Sequence, residues 1–411
     1  MIKVVHLQNS MKSAGSAALR LHNSFIQYGI NSKIVSLFTD KIKDDKIKYL
    51  NKKARIISRL DTEVKKCVNR NIIPTYGSFS FPLFGTDVST LKEINNADII
   101  YLHWVLGGFL NLSNVRKLLK LKKNVVIFMH DMWWITGGCH HSFSCEKYTL
   151  SCNNCQMIKG NRKRDLSALE FNKKLKLYSK FDNIYFVSPS KWLYDCAKNS
   201  KLTRENSIFY IPNTIDSSFY KPFDKKVARN ILNISPEETV IAFGAVKINS
   251  PYKGWNYLQK ALEILKNNNN LNNILILIFG DSYNEEIDNA IPFKTKFMGY
   301  LQDEYSTALA YNSADVFIAP SLAETFGYVV MEALSCGTAV VGFEIGGIPD
   351  LIRHKKNGYL AKYKDSEDIA NGINYCLENK LKGYILPEFE PNKTLNKHLE
   401  LFDYIRSNSK K

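Results

Sequence analysis

Two glutamates near the C-terminus are the residues best placed to do chemistry. They lie in Pro320-Ser-Leu-Ala-Glu324-Thr-Phe-Gly327-Tyr-Val-Val-Met-Glu332-Ala-Leu-Ser-Cys-Gly337, with seven residues between them. The preceding Asp315-Val-Phe-Ile-Ala319 reads as a buried parallel strand that ends at Pro320. Tyr328 to Cys336 is apolar around most of its circumference, as a helix inside a domain should be. Gly337 stops that helix, and Ala339-Val-Val341 begins the next strand. Glu324 is therefore expected in the loop entering the helix, and Glu332 about two turns further in. Carboxylates seldom interrupt so apolar a stretch unless something pairs with them. Ligand hydroxyls would serve, and so would a helix cap or a polar neighbour at the core edge.

Other candidates fall where strands end. Lys253-Gly254 follows the apolar run Thr239–Gly244, His130-Asp131 follows Val125–Met129, and His103-Trp104 follows Asp98–Leu102. Ligands of open parallel sheets meet the C-terminal ends of strands, so these side chains should face a cleft. For His130, satisfaction by Asp131 alone is the competing reading. Gly15 lies in the first strand-to-helix loop, where any tight turn also favours glycine.

Four of the eight cysteines crowd into one segment, Cys139, Cys145, Cys152 and Cys155. A Cys-x-x-Cys with two further thiols nearby is metal-ligand spacing, and a structural zinc is expected there, with His140 or His141 able to replace one thiol. Four buried free thiols are the alternative. Cys67, Cys196, Cys336 and Cys376 are scattered and read as core.

The elements that must position these residues alternate strand with helix. Strands are expected at 2–7, 32–37, 98–102, 124–128, 183–187 and 208–216, and a second series at 239–244, 275–280, 296–299, 316–318 and 339–342. This is an α/β chain with parallel sheets. Two Rossmann-like domains are expected, at 1–212 and 213–392, with a C-terminal helix in 393–411 that, by the family resemblance given below, crosses back to the first. At 411 residues and 45% hydrophobic content, the chain can bury two cores.

The segment around the two glutamates resembles the signature of retaining glycosyltransferases of the GT4 family, which have the GT-B fold of two Rossmann-like domains facing each other across a cleft. The resemblance implies that Glu324 faces the donor sugar. It implies that the N–H groups of Phe326, Gly327 and Tyr328 meet sugar hydroxyls and diphosphate, and that Glu332 accepts hydrogen bonds from ribose. Lys253 would neutralise the diphosphate, although Ala245 stands where the family carries an arginine, with Lys247 as a candidate substitute. Gly15 would approach acceptor and phosphate, His130 the reacting carbon, and His103 the acceptor side; the base would lie near Gly299-Tyr300. The turn at Glu344, Gly346, Gly347 and Asp350 resembles one the family uses to shape the sheet. His130-Asp-Met-Trp-Trp-Ile-Thr-Gly-Gly-Cys-His140 resembles a subgroup from colanic-acid and capsular polysaccharide clusters. Retention in this family is attributed to front-face attack, so no catalytic metal and no dedicated base are expected.

The implied partners are a UDP- or GDP-sugar donor and a glycan or lipid-linked acceptor. Net charge is +17, which favours anionic partners. Eleven Lys or Arg against four acids lie between Lys41 and Ile73, interleaved with apolar residues; such a segment suits an anionic membrane surface or a solvated helix face. A second basic cluster runs from Lys159 to Arg164 and on to Lys173, Lys174 and Lys176. With no secretory signal or membrane-length apolar run, a cytoplasmic protein, peripheral at the inner face of the plasma membrane, is expected. A GT-B-fold sugar-nucleotide epimerase and a basic zinc-containing nucleic-acid-binding protein are the competing functions.

Overall fold

The computed structural model describes residues 2–11, 16–39, 42, 44–73, 77–160, 163–248, 250–268 and 273–408. The chain divides into two compact units, 1–214 with 392–411, and 215–391.

The first unit is built on a parallel sheet of seven strands: β1 Lys3–Gln8, β2 Asn31–Ser36, β3 Ile47–Tyr49, β4 Ile99–Leu102, β5 Asn124–Phe128, β6 Ile184–Ser188 and β7 Ser207–Tyr210. Their order is β3-β2-β1-β4-β5-β6-β7. Strand order therefore reverses between β1 and β4, the switch point beside which doubly wound folds bind ligands. Alternate side chains feed two cores, as the period of two requires. Val5, Leu7, Ile100, Leu102, Val125 and Ile127 pack on one face. Val4, Tyr101, Val126 and Phe128 pack on the other, against Phe25 and the helix Pro391–Asn408 through Leu395, Leu401, Phe402 and Ile405.

The second unit repeats the plan with six parallel strands: β8 Thr239–Gly244, β9 Ile274–Phe279, β10 Lys294–Phe297, β11 Val316–Ala319, β12 Ala339–Phe343 and β13 Gly358–Ala361. Their order is β10-β9-β8-β11-β12-β13, so the switch point lies between β8 and β11. All six residues of β9, Ile-Leu-Ile-Leu-Ile-Phe, are buried, which is why this strand is a continuous apolar run. Asp303 and Asp365 cap their helices through hydrogen bonds accepted from Ser306 and Asp368 N–H groups.

Candidate functional site

The loop leaving β8 and the loop leaving β11 are locked together. Gly254 has φ +67°, and a Cβ on it would stand 1.8 Å from the Pro320 carbonyl oxygen. Only glycine meets both conditions. Leu322 N–H also donates to the Tyr252 carbonyl at 2.8 Å. This docking brings Lys253 Nζ to 3.2 Å from Glu324 Oε2, with the two side chains 27% and 20% exposed. Beneath Glu324 lies the turn Gly346-Gly347. Gly347 N–H donates to the Glu324 carbonyl at 3.1 Å, and a Cβ at Gly346 would meet that carbonyl at 1.8 Å.

Glu324 sits in the loop and Glu332 in the helix Tyr328–Ser335, whose N-cap is Gly327. Phe326 and Glu332 are buried. Glu332 Oε2 accepts a hydrogen bond from Tyr311 OH at 3.1 Å; no local motif flagged Tyr311 as its partner. Lys247 is exposed, as is Tyr300, and Glu344 is exposed at the end of β12.

In the first unit, His103 and His130 lie just beyond β4 and β5 and touch: His103 Nδ1 is 2.9 Å from His130 Nε2. His6 of β1 joins them from the other side, its Nδ1 2.9 Å from His103 Nε2. The one sequence signal for His6 was a polar residue inside an apolar strand. Burial lowers the His130 pKa to about 4, against the pull of Asp131. Asp131 does not satisfy His130. Its Oδ2 lies 2.7 Å from His140 Nδ1, and its Oδ1 accepts from Trp133 N–H. His140 Nε2 lies 2.8 Å from Ser80 Oγ. A Ser–His–Asp row can activate a nucleophile, but all three residues are at least 93% buried; here it pins the cysteine-bearing loop. Both His140 nitrogens are engaged, so His140 is not a spare metal ligand. Gly15 lies outside the described residues.

The four thiols share one neighbourhood, in which a thiolate at Cys139, Cys145 or Cys155 would push Cys152 further up. Burial raises the Cys139 thiol to about 12 and raises Cys152 and Cys155 as well. Cys152 Sγ accepts the Gly137 N–H at 3.2 Å, while Cys139 and Cys155 pack near Ile72, Phe79 and Met157. Four thiols suit zinc in donor type, but from the positions described they would have to draw together to hold one. Among the described residues no three His, Cys, Asp or Glu side chains converge on a metal position. Lys174, grouped by sequence with a basic cluster, is fully buried. Its Nζ lies 3.6 Å from the centroid of the Trp133 ring and donates to the Trp133 and Thr136 carbonyls. Burial lowers its pKa to about 8.

Residues 237–379 match the profile of the family described as "Glycosyl transferases group 1". An uncharacterized glycosyltransferase of Methanocaldococcus jannaschii is 24% identical over 72% of this chain and 79% of its own length. A D-inositol 3-phosphate glycosyltransferase of Mycobacteroides abscessus is 29% identical over 41% of this chain, but only 39% of its own length is spanned. The HepE protein of Anabaena, solved in complex with UDP-glucose, superposes over 98% of this chain and 100% of its own with a TM-score of 0.61 at 17% identity. The fold is that of GT-B glycosyltransferases. The chain is a transferase enzyme, and the part similar to group 1 glycosyl transferases lies in its second unit.

Proposed function

We propose that the protein is a retaining glycosyltransferase of the GT4 type. It moves a sugar from a UDP- or GDP-sugar to a glycan or lipid-linked glycan acceptor in cell-surface polysaccharide synthesis. The observation that carries this reading is the convergence of Lys253, Glu324 and the start of the helix Tyr328–Ser335 around one pair of interlocked loops. A cation and a helix N-terminus together suit a diphosphate. Glu324 then takes the donor sugar's hydroxyls, Phe326, Gly327 and Tyr328 offer backbone N–H groups, and Glu332 takes the ribose. UDP is placed first because HepE binds UDP-glucose. The first unit, with His103, His130 and Gly15, is assigned to the acceptor and the reacting carbon.

In this reading the acceptor hydroxyl oxygen bonds to C1 on the face from which the diphosphate departs. The C1–O bond to the diphosphate breaks, and a phosphate oxygen takes the hydroxyl proton. Lys253 and the helix dipole stabilise the charge that develops on the leaving group. No metal ion takes part in transfer; a zinc held by Cys139, Cys145, Cys152 and Cys155, once those thiols draw together, would be structural.

The reading extends to the inner face of the plasma membrane. The helix Lys52–Asn69 buries Ala54, Ser58 and Asp61. It exposes Ile56 (56%) and Leu60 (51%) beside Lys52, Lys53, Arg55 and Arg59, an outward apolar stripe with a basic border that suits anionic lipid. No helix among the described residues is long and apolar enough to cross a membrane. Thermal shift with UDP, GDP and their nucleosides, followed by transfer assays with the matching sugars, tests the core of the proposal. Stabilisation by a nucleoside diphosphate and acceptor-dependent turnover are expected. Sugar conversion without acceptor would favour an epimerase instead.

A further inference from the structure

Three histidines stand in a hydrogen-bonded row at the switch point of the first sheet. His6 lies within β1, His103 one residue beyond β4 and His130 two beyond β5, strands that are neighbours in the sheet. Both links measure 2.9 Å, His6 Nδ1 to His103 Nε2 and His103 Nδ1 to His130 Nε2. Successive rings also stack at centroid distances of 5.2 Å. Accessibility falls along the row, from the half-buried His130 to His103 and then to the fully enclosed His6.

A neutral imidazole has one N–H and one bare nitrogen. Burial keeps all three rings neutral, pushing His6 and His103 well below the usual histidine range and His130 to about 4. His103 must then donate through one nitrogen and accept through the other, so both hydrogen bonds point the same way. In the outward arrangement His6 Nδ1–H donates to His103 Nε2, and His103 Nδ1–H donates to His130 Nε2. In the inward arrangement every donor reverses, and the last proton sits on His6 Nε2. That nitrogen is buried and has no hydrogen-bond partner among the described residues. Orphaned buried N–H groups are rarer than unsatisfied acceptors, so the outward arrangement is favoured. The surrounding groups have partners of their own: Asp131 with His140, His398 with Tyr101 OH, and His22 with Ser32.

We infer that this row fixes His130 as its Nδ1–H tautomer, so that it meets a sugar oxygen as a neutral hydrogen-bond donor and not as a proton-accepting base. His103 and His6 are positioning residues. A small recess lined by His103, Trp104, His130 and Asp131, among others, leaves room for that oxygen. The row also closes at its inner end, because His6 Nε2 passes no hydrogen bond onward among the described residues, so a proton taken up at His130 finds no exit through it there. The identity of the ligand rests on the sugar-transfer reading above. The tautomer does not.

The test is a long-range proton–nitrogen correlation spectrum of the full chain labelled with nitrogen-15 histidine, at neutral pH and without substrate. It reads directly which ring nitrogen carries the proton. His130 protonated on Nδ1 is the expected result; a proton on Nε2, or on both nitrogens, overturns the inference. His103→Gln keeps an amide N–H that can donate to His130 Nε2 and should preserve the tautomer. His103→Leu removes the donor and should release His130 to a mixture of tautomers. It should also raise KM for the donor sugar roughly 2- to 10-fold, the range of one neutral hydrogen bond, with UDP affinity unchanged. An unchanged tautomer in a folded His103→Leu protein also overturns the inference, and if that variant does not fold, the wild-type spectrum decides alone. Because the spectrum needs neither substrate nor turnover, its outcome is separable from failure of the sugar-transfer proposal, which would show as the absence of nucleoside diphosphate binding.

Discussion

Replacing Lys253 by alanine separates phosphate recognition from every other role of its loop. In the structure the ammonium is paired with Glu324 at 3.2 Å, and both side chains keep contact with solvent. An ion pair of that exposure contributes about 0–1 kcal/mol to folding, so the variant should melt close to wild type. A charge-assisted hydrogen bond to a diphosphate is worth more, about 1.5–3 kcal/mol. At 1.4 kcal/mol per tenfold, Kd for UDP should rise roughly 10- to 100-fold, while Kd for uridine should barely move. Titration calorimetry with both ligands measures the ratio. Glu324→Gln makes the converse test. It removes the carboxylate that competes for Lys253, so UDP should bind as well or more tightly, while turnover falls. An equal loss for uridine and UDP in the lysine variant would refute a phosphate role. Weaker UDP binding in the glutamine variant would refute the competition between ligand and carboxylate.

Glu332→Ala should weaken uridine and UDP alike, because ribose is common to both; calorimetry that finds only UDP affected would assign Glu332 elsewhere. If the four thiols draw together from the positions described to hold zinc, about one atom per chain should appear by elemental analysis of protein purified without added metal, with proton release on reloading, since ligation requires thiolates. Trace zinc with all four thiols titratable in the native state would refute it. The pH dependence of stability follows from the buried histidines. Burial depresses His22 and His130 to about 4 and His398 to about 3, and lowers His6 and His103 strongly. The unfolded chain therefore binds more protons below 6.5, so their contribution is complete above that pH and is lost as pH falls toward the folded values, at about 2 kcal/mol per such residue by pH 5. All five lie in the first unit, which should melt first in acid. Tryptophan fluorescence melts between pH 7.5 and 5 check this, and a first unit whose melting is insensitive to pH over that range would refute it.

How far the sequence could be read depended on where each signal resides. The central strands were legible because a parallel strand covered on both faces must be apolar throughout, as β9 is. The edge strands β3, Ile-Lys-Tyr, and β13, Gly-Tyr-Leu-Ala, were missed: each is short and partly exposed, with no apolar run to mark it. Lys174 was misplaced because a lysine among lysines looks solvated, and only the fold shows Trp133 beneath its ammonium. The helix Lys52–Asn69 reads as amphipathic, yet Ser58 Oγ and Asp61 Oδ1 anchor its inner face to the backbone of Gly107, Leu83 and Phe84, leaving Ile56 and Leu60 outward. The same division runs through the candidate site. Lys253 and Glu324 are 71 residues apart, yet both could be found, because each lies in a short motif that resembles one the glycosyltransferase family carries. His6 and His103 are 97 residues apart, and nothing in the spacing of either predicts that they touch. Rings that meet across neighbouring strands are specified by sheet order alone, so a one-residue slip of β1 against β4 would turn His6 to the opposite face and break the row while leaving every local motif intact.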